Sequence, residues 1–297
     1  MPHLSHAVSG PSRLALTLCI VLTAIVYLRG WLRLRSTSVN AIAGWRACSF
    51  LVGMLLIWAA VASPIGAFDH EMLTIHMVQH VLLMTLAPPL IWLGEPLMAG
   101  IQGLPRQFVQ SVINPMLAWT AVRRFGKTLA QPAFCWLAAA AALVVWHVPA
   151  IFNLALQTKA WHVVEYVSFF ATGLLFWWPV VSPWPAASRL PDFSIILYLF
   201  LATLPCDILS GLLVFCDRVV YPAYFSASRP FGFSPIEDQQ CAGALMWTCV
   251  TVVFLIAGTI LTTRLLAPRN PMEPESAQPN CHACPTPQGV QQSLEAL

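Results

Sequence analysis

Seven long apolar stretches, separated by short polar segments, restrict the fold of this chain more than any other feature. Of its 297 residues, 58% are hydrophobic and only 9% are charged, whereas soluble domains carry about 25% charged residues. A water-soluble fold of this composition would lack the polar residues needed to cover its core. Because most of these stretches are long enough to cross a bilayer as helices, the sequence predicts an all-α, polytopic membrane protein.

The apolar stretches predict a bundle of seven transmembrane helices within residues 1–264. The first span is short for a bilayer crossing, so Arg13 and Arg29 are expected to reach the lipid headgroups. The tail, residues 265–297, is rich in Pro, Gln and small residues and is predicted to be disordered. The predicted spans are 14–32, 45–63, 70–98 with an interruption at Pro88-Pro89, 133–149, 161–181, 193–215 and 240–263.

The distribution of basic residues predicts the orientation of this bundle. Of the 15 Lys and Arg residues, eleven fall in segments on one side of the spans and four on the other. Cytoplasmic segments carry the excess of Lys and Arg, which places the N-terminus outside and the C-terminal tail in the cytoplasm. The net charge of +3 includes no long basic run, so nucleic-acid binding is not expected.

Histidines at helical spacing are the first candidates for a metal site. His76 and His80 are four residues apart and share one face of the third span. Met72 and Met84 extend this face, and imidazole with thioether ligands suits Cu(I). Methionines at such spacing are also common packing residues, so the methionine stripe has two interpretations.

Two further histidines lie at span ends. His147 ends the fourth span and His162 begins the fifth, where Glu165 follows at a spacing that lets a carboxylate orient an imidazole. Each histidine alone is also compatible with a simple interfacial role. Ionisable residues inside spans are functional candidates by default, and the predicted topology places both in the outer half of the bundle.

Two carboxylates complete the candidate set. Asp207 lies in the sixth span at a depth similar to that of His80, where a helix–helix hydrogen bond is the alternative. Asp238 begins the seventh span, although the preceding Ser234-Pro235-Ile236-Glu237 is also typical of a helix start. The nine cysteines do not form a disulfide framework, and Cys281-x-x-Cys284 in the tail is a weak thiol motif.

Several motifs in one order resemble the CtaG family, the assembly factors of caa3-type cytochrome c oxidase. The resemblance implies a seven-span protein of the bacterial inner membrane that helps to mature the oxidase. It also implies copper delivery to the binuclear copper centre of subunit II, with oxidase subunits as partners. Tyr166 stands where the family pattern leads us to expect a further histidine. The motifs are His76-Met77-Val78-Gln79-His80, Ala87-Pro88-Pro89-Leu90, Gly94-Glu95-Pro96-Leu97, Trp146-His147-Val148-Pro149, Phe176-Trp177-Trp178-Pro179, Tyr221-Pro222-Ala223-Tyr224, and Glu237-Asp238-Gln239-Gln240 with Met246-Trp247.

The sequence therefore predicts a non-enzymatic assembly factor that binds copper in an outward-facing cluster within the membrane. Three alternatives remain open: a haem-binding membrane protein with two axial histidines, a metalloenzyme that uses Asp207 or Glu165, and a small-solute or copper permease. The predicted metal ligands are His76, His80, His147, His162, Asp207, Asp238 and Met84.

Overall fold

The computed structural model describes residues 10–37, 43–181, 192–225 and 232–266. Within these ranges the chain is helical and contains no strand. Six helices are long and apolar enough to cross a membrane, and a seventh span results if two consecutive helices bent by 66° are taken as one. The prediction of an all-α polytopic membrane protein is confirmed. Cys281, Cys284 and nearly all of the predicted tail lie outside the described residues.

The helices follow the predicted spans closely. The first span is longer than predicted, because α1 continues through the polar residues at both of its ends and reaches 28 residues. The fourth span corresponds to a helix of only 16 residues, which the bent helix before it extends. The helices are α1 (Gly10–Thr37), α2 (Gly44–Val61), α3 (Leu73–Leu93), α4 (Pro96–Gly103), α5 (Thr120–Leu129), α6 (Pro132–His147), α7 (Pro149–Gln157), α8 (Lys159–Val181), α9 (Asp192–Phe215) and α10 (Pro235–Leu266), and short helical turns occur at Ile65–Phe68, Arg106–Phe108, Val109–Ile113, Asn114–Ala118 and Pro222–Phe225.

Helix α3 does not break at Pro88-Pro89, so the predicted interruption is wrong. The segment Leu82–Leu86 widens into a π-helical turn, and the α-helix resumes at Ala87. A proline lacks an N–H group and clashes with the carbonyl four residues earlier, and a π-turn is one way in which a helix accommodates such a defect. The helix continues through the proline pair to Leu93.

A neighbouring helix stabilises this π-turn. The Met84 carbonyl, which Pro88 cannot use as an acceptor, accepts a hydrogen bond from Trp177 Nε1 of α8 at 3.2 Å. A Cβ atom added to Gly173 of α8 would lie 2.8 Å from the Met84 carbonyl oxygen and 2.9 Å from Pro88 Cγ. The missing side chain at Gly173 thus lets α8 pack directly against the π-turn of α3.

Polar contacts also join α1, α2 and α3 at the C-terminal end of α3. The Tyr27 hydroxyl of α1 donates to the Gly94 carbonyl at 2.7 Å, and the Tyr27 ring stacks on Phe50 of α2 at 3.9 Å. Arg46 forms an ion pair with Glu95, whose φ of 50° is the one positive value at a non-glycine residue in the described ranges. These contacts set the turn between α3 and α4.

The N-terminus of α3 meets the ends of several other helices at the opposite end of the bundle. Asp238 in the first turn of α10 accepts a hydrogen bond from the Leu73 N–H. The Tyr221 hydroxyl donates to the carbonyl of His147, the last residue of α6. The Tyr224 hydroxyl donates to the Asp69 carbonyl just before α3. We call this end of the bundle, where the N-terminus of α3 meets the C-terminus of α6 at His147, the histidine end. Its position on the outer side of the membrane stays a prediction.

Candidate metal centre

A fully buried carboxylate, Glu165, lies at the centre of the histidine end. Its Oε1 atom is 3.3 Å from His76 Nε2 and 3.2 Å from His80 Nε2. Its Oε2 atom is 3.9 Å from His162 Nε2. The side chains of Glu165 and His76 have 0% exposure, and that of His80 has 4%. An ionised carboxylate this deep in a protein requires a compensating cation or several hydrogen bonds.

Local helix geometry brings each of these groups to Glu165. His76 and His80 follow one another on a single face of α3, with ring centroids 4.4 Å apart. His162 and Glu165 are three residues apart in α8 and therefore neighbours on its surface. The two pairs face each other because α3 and α8 pack closely. We call Glu165, His76 and His80 the buried centre.

His147 approaches the buried centre from the C-terminus of α6. Its Nδ1 lies 2.7 Å from the Leu143 carbonyl, and its ring centroid is 5.9 Å from that of His80. Since a carbonyl oxygen only accepts hydrogen bonds, this contact requires the Nδ1–H tautomer. The Nε2 lone pair of a neutral imidazole then remains available to a metal ion, which is the arrangement found in many protein metal sites.

A second group of potential ligands lies beside the buried centre. Asp69 Oδ1 is 3.7 Å from His70 Nε2, and Asp69 Oδ2 is 3.6 Å from His162 Nε2. The ligand atoms of these three residues all lie within 4.8 Å of one another, as do those of His76, His80 and Glu165. We call Asp69, His70 and His162 the outer triad.

Tyr166 and Gln79 hold the outer triad in place. The Tyr166 hydroxyl lies 2.8 Å from Asp69 Oδ2 and 2.6 Å from Gln79 Oε1. The Gln79 amide group donates to the Ala60 carbonyl at 2.8 Å. At the position where the family resemblance led us to expect a histidine, Tyr166 therefore orients a carboxylate.

Buried polar atoms without a partner are concentrated at the histidine end. Among the described residues, nine buried side-chain N or O atoms have no hydrogen-bond partner. Such atoms are rare and costly in folded proteins. A cation would satisfy imidazole and carboxylate lone pairs together, so this donor set fits a bound metal ion. Six of the nine belong to this cluster: His76 Nδ1, His80 Nδ1, His80 Nε2, His147 Nε2, His162 Nε2 and Glu165 Oε2.

The structure places the other predicted ligands around this cluster. The Asp238 carboxylate accepts hydrogen bonds from Leu73 and Thr74 at the start of α3. Asp207 is half-buried on α9. It belongs to neither of the two groups of described residues whose ligand atoms lie close enough together to hold a metal ion. Met84, in the π-turn, lines a cavity together with His80 and Cys206. Neither aspartate belongs to a group with metal-ligand geometry among the described residues.

Three important residues of the site were absent from the predicted ligand set. Glu165 was considered only as a partner that orients a histidine, yet it contacts His76 and His80 directly. Asp69 and His70, at the start of the third predicted span, were not considered as ligands. The spacing His162-x-x-Glu165 was the available signal for the carboxylate, because residues three apart share a helix face.

These features define a polytopic helical membrane protein with a buried histidine–carboxylate centre near one end of its bundle. The sequence profile of the family described as cytochrome c oxidase caa3 assembly factor matches residues 25–267. The match includes all residues of the buried centre and the outer triad. The chain belongs to this family.

Relatives in mycobacteria are longer than this chain. Uncharacterized proteins of Mycobacterium bovis and Mycobacterium tuberculosis are each 25% identical over 251 residues, which cover 82% of this chain and 37% of theirs. An uncharacterized protein of Mycobacterium leprae is 22% identical over 240 residues, or 80% of this chain and 36% of its own. The chain thus spans little more than a third of these relatives. No solved structure matches it.

Proposed function

We propose that this protein is a non-enzymatic assembly factor for cytochrome c oxidase that binds copper as its cargo at the histidine end. The concentration of buried imidazole and carboxylate atoms without hydrogen-bond partners around Glu165 is the observation that carries the proposal. His76, His80 and Glu165 are the principal ligands. His162, with Nε2 3.9 Å from Glu165 Oε2, and His147, whose ring lies beside that of His80, are the candidates for further ligands. Membership of an oxidase assembly family supports the oxidase as the destination of the ion.

The donor atoms favour divalent copper over the Cu(I) that the methionine stripe suggested. Both groups with metal-ligand geometry consist of imidazole nitrogens and carboxylate oxygens. Such ligands suit Cu²⁺ and Zn²⁺, and Cu²⁺ binds most tightly among the divalent first-row ions. The negative charge of Glu165 offsets part of the charge of a divalent ion inside the membrane.

The predicted orientation connects this site to the oxidase. In the predicted topology, eleven of the 15 basic residues fall in segments on the side opposite the histidine end, which favours an external position for the cluster. The family resemblance implies that the copper centre of the oxidase is filled in the same compartment. On this proposal, the protein lies in the bacterial inner membrane and transfers copper to an oxidase subunit by ligand exchange.

Metal analysis of the purified full-length chain tests the proposal. Wild-type protein in detergent, loaded with Cu²⁺ and desalted, is expected to retain copper with nitrogen hyperfine structure in its electron paramagnetic resonance spectrum. Glu165→Gln is expected to weaken retention by at least about tenfold, as is typical when a metal site loses part of its ligand environment. The double variant His76→Ala/His80→Ala should lose the buried ion.

Glu237→Gln is the matched control for Glu165→Gln. Glu237 lies at the same end of the bundle, but its carboxylate accepts a hydrogen bond from the Ser234 N–H at an exposed position. Its neutralisation should leave copper content unchanged. Equal copper in wild type and the His76→Ala/His80→Ala variant, with oxidase assembly intact in cells that carry this variant, would refute the proposal.

A further inference from the structure

We infer that the outer triad of Asp69, His70 and His162 is a second metal-binding site, through which a divalent ion is loaded into the buried centre. The inference rests on the proposed function, because it assigns a route to the same cargo. It adds a distinct set of ligands and an order in which the two sets are used.

Solvent exposure decreases from the outer triad to the buried centre. The His70 side chain is 26% exposed, those of His162 and Asp69 are 11% and 7% exposed, and that of Glu165 is fully buried. A hydrated ion therefore meets the imidazole of His70 and the carboxylate of Asp69 before it can reach Glu165. An isolated ion entering directly at Glu165 would have to lose its water in a single step, at a large desolvation cost.

His162 connects the two sets of ligands. Its Nε2 atom is 3.6 Å from Asp69 Oδ2 and 3.9 Å from Glu165 Oε2, and it has no hydrogen-bond partner. Its ring also stacks parallel to that of His76, with centroids 5.6 Å apart. An ion can thus stay bound to His162 while it exchanges the carboxylate of Asp69 for that of Glu165. No redox step is required, because only ligands are exchanged.

The surrounding hydrogen bonds hold Asp69 in a conformation suited to binding. Tyr166 donates to its carboxylate, and Tyr224 donates to its backbone carbonyl at 2.8 Å. Preorganised ligands lower the cost of binding an ion.

Two measurements on the full-length protein in detergent test the route. In the His76→Ala/His80→Ala background, a weaker copper ion should remain at the outer triad, and adding His70→Ala should remove it. In the otherwise wild-type chain, His70→Ala should slow the loading of Cu²⁺ in stopped-flow experiments by about tenfold. The copper content of the buried centre at equilibrium should stay at the wild-type value.

Glu71→Gln is the control for Asp69→Asn, because it neutralises the neighbouring carboxylate that belongs to neither set of ligands. Asp69→Asn should slow loading, and Glu71→Gln should not. If Asp69→Asn fails to fold, His70→Ala decides the question alone. Loading at the wild-type rate in His70→Ala would overturn the route, as would a His76→Ala/His80→Ala variant without any copper. Either result leaves the proposed function standing if wild type still binds copper, whereas copper-free wild type refutes both.

Discussion

Replacement of Asp238 distinguishes a structural role for this carboxylate from the ligand role that the sequence suggested. Asp238 Oδ2 accepts from the Leu73 N–H at 2.7 Å. Its Oδ1 accepts from the Thr74 N–H at 3.1 Å and from the Thr74 hydroxyl at 2.6 Å. These N–H groups belong to the first turn of α3, where a helix has no acceptors of its own. Asp238 thus caps α3 from the neighbouring helix α10.

The cost of removing this cap follows from the groups left behind. A buried N–H group without an acceptor costs about 1–3 kcal/mol, so Asp238→Ala is expected to destabilise the protein by about 1–3 kcal/mol through the buried Leu73 N–H, with a smaller contribution from the part-buried Thr74 N–H. Loss of the negative charge near the helix N-terminus adds about 0.3–1 kcal/mol. Asp238→Asn retains one oxygen and is expected to cost about half as much. Thr74→Val removes only the hydroxyl bond and is expected to cost about 1 kcal/mol.

Thermal unfolding in detergent measures these differences. Cys135 and Cys206 are buried, whereas Cys19, Cys48 and Cys241 are exposed, so the increase in labelling by a thiol-reactive fluorescent dye above that of the folded protein reports the loss of packing around α6 and α9. The expected order of destabilisation is Asp238→Ala, then Asp238→Asn, then Thr74→Val, with unchanged copper per folded chain. A variant of Asp238 that keeps the wild-type unfolding temperature but loses copper would refute the cap and restore the ligand assignment.

Two further substitutions test the packing and the hydrogen bonds that position the site. Gly173→Ala places a Cβ atom 2.8 Å from the Met84 carbonyl oxygen and should lower the stability of the protein by about 1–3 kcal/mol in the same unfolding assay. The control Gly258→Ala, where an added Cβ atom meets nothing within 4 Å, should not lower it. Equal stability of the two variants would contradict the close packing of α8 on α3. Tyr166→Phe removes the hydroxyl that donates to Asp69 and should slow copper loading without changing the final copper content. Stopped-flow rates equal to those of wild type would show that Tyr166 does not position Asp69.

Much of the architecture could be predicted because it depends on local sequence properties. Apolar length indicates a membrane span, and a spacing of four residues places His76 and His80 on one helix face. The predicted helix start at Ser234 is also confirmed: its N–H donates to Glu237 Oε2 at 2.7 Å, and its hydroxyl accepts from the Glu237 N–H at 3.2 Å. Each of these features involves residues within one or two helical turns.

The structure departs from local expectations where a group finds its partner far away in the sequence. Local rules predicted a break at Pro88-Pro89, but the Met84 carbonyl, which has no donor at Pro88, accepts a hydrogen bond from Trp177, 93 residues later. Asp238 was considered at the start of its own helix, but it caps a helix that begins 165 residues earlier. Neither pairing has a signature in a single sequence, because both depend on which helices become neighbours.

The central position of Glu165 has the same origin. Its distance to His76 and His80 depends on the packing of α8 against α3, which requires the small residue at Gly173 and the π-turn of α3. Helix α3 is held at its start by Asp238 and at the π-turn by Trp177. With both ends of the segment held, the backbone of His76 and His80 is kept beside Glu165. This placement favours the preorganisation that ion binding requires.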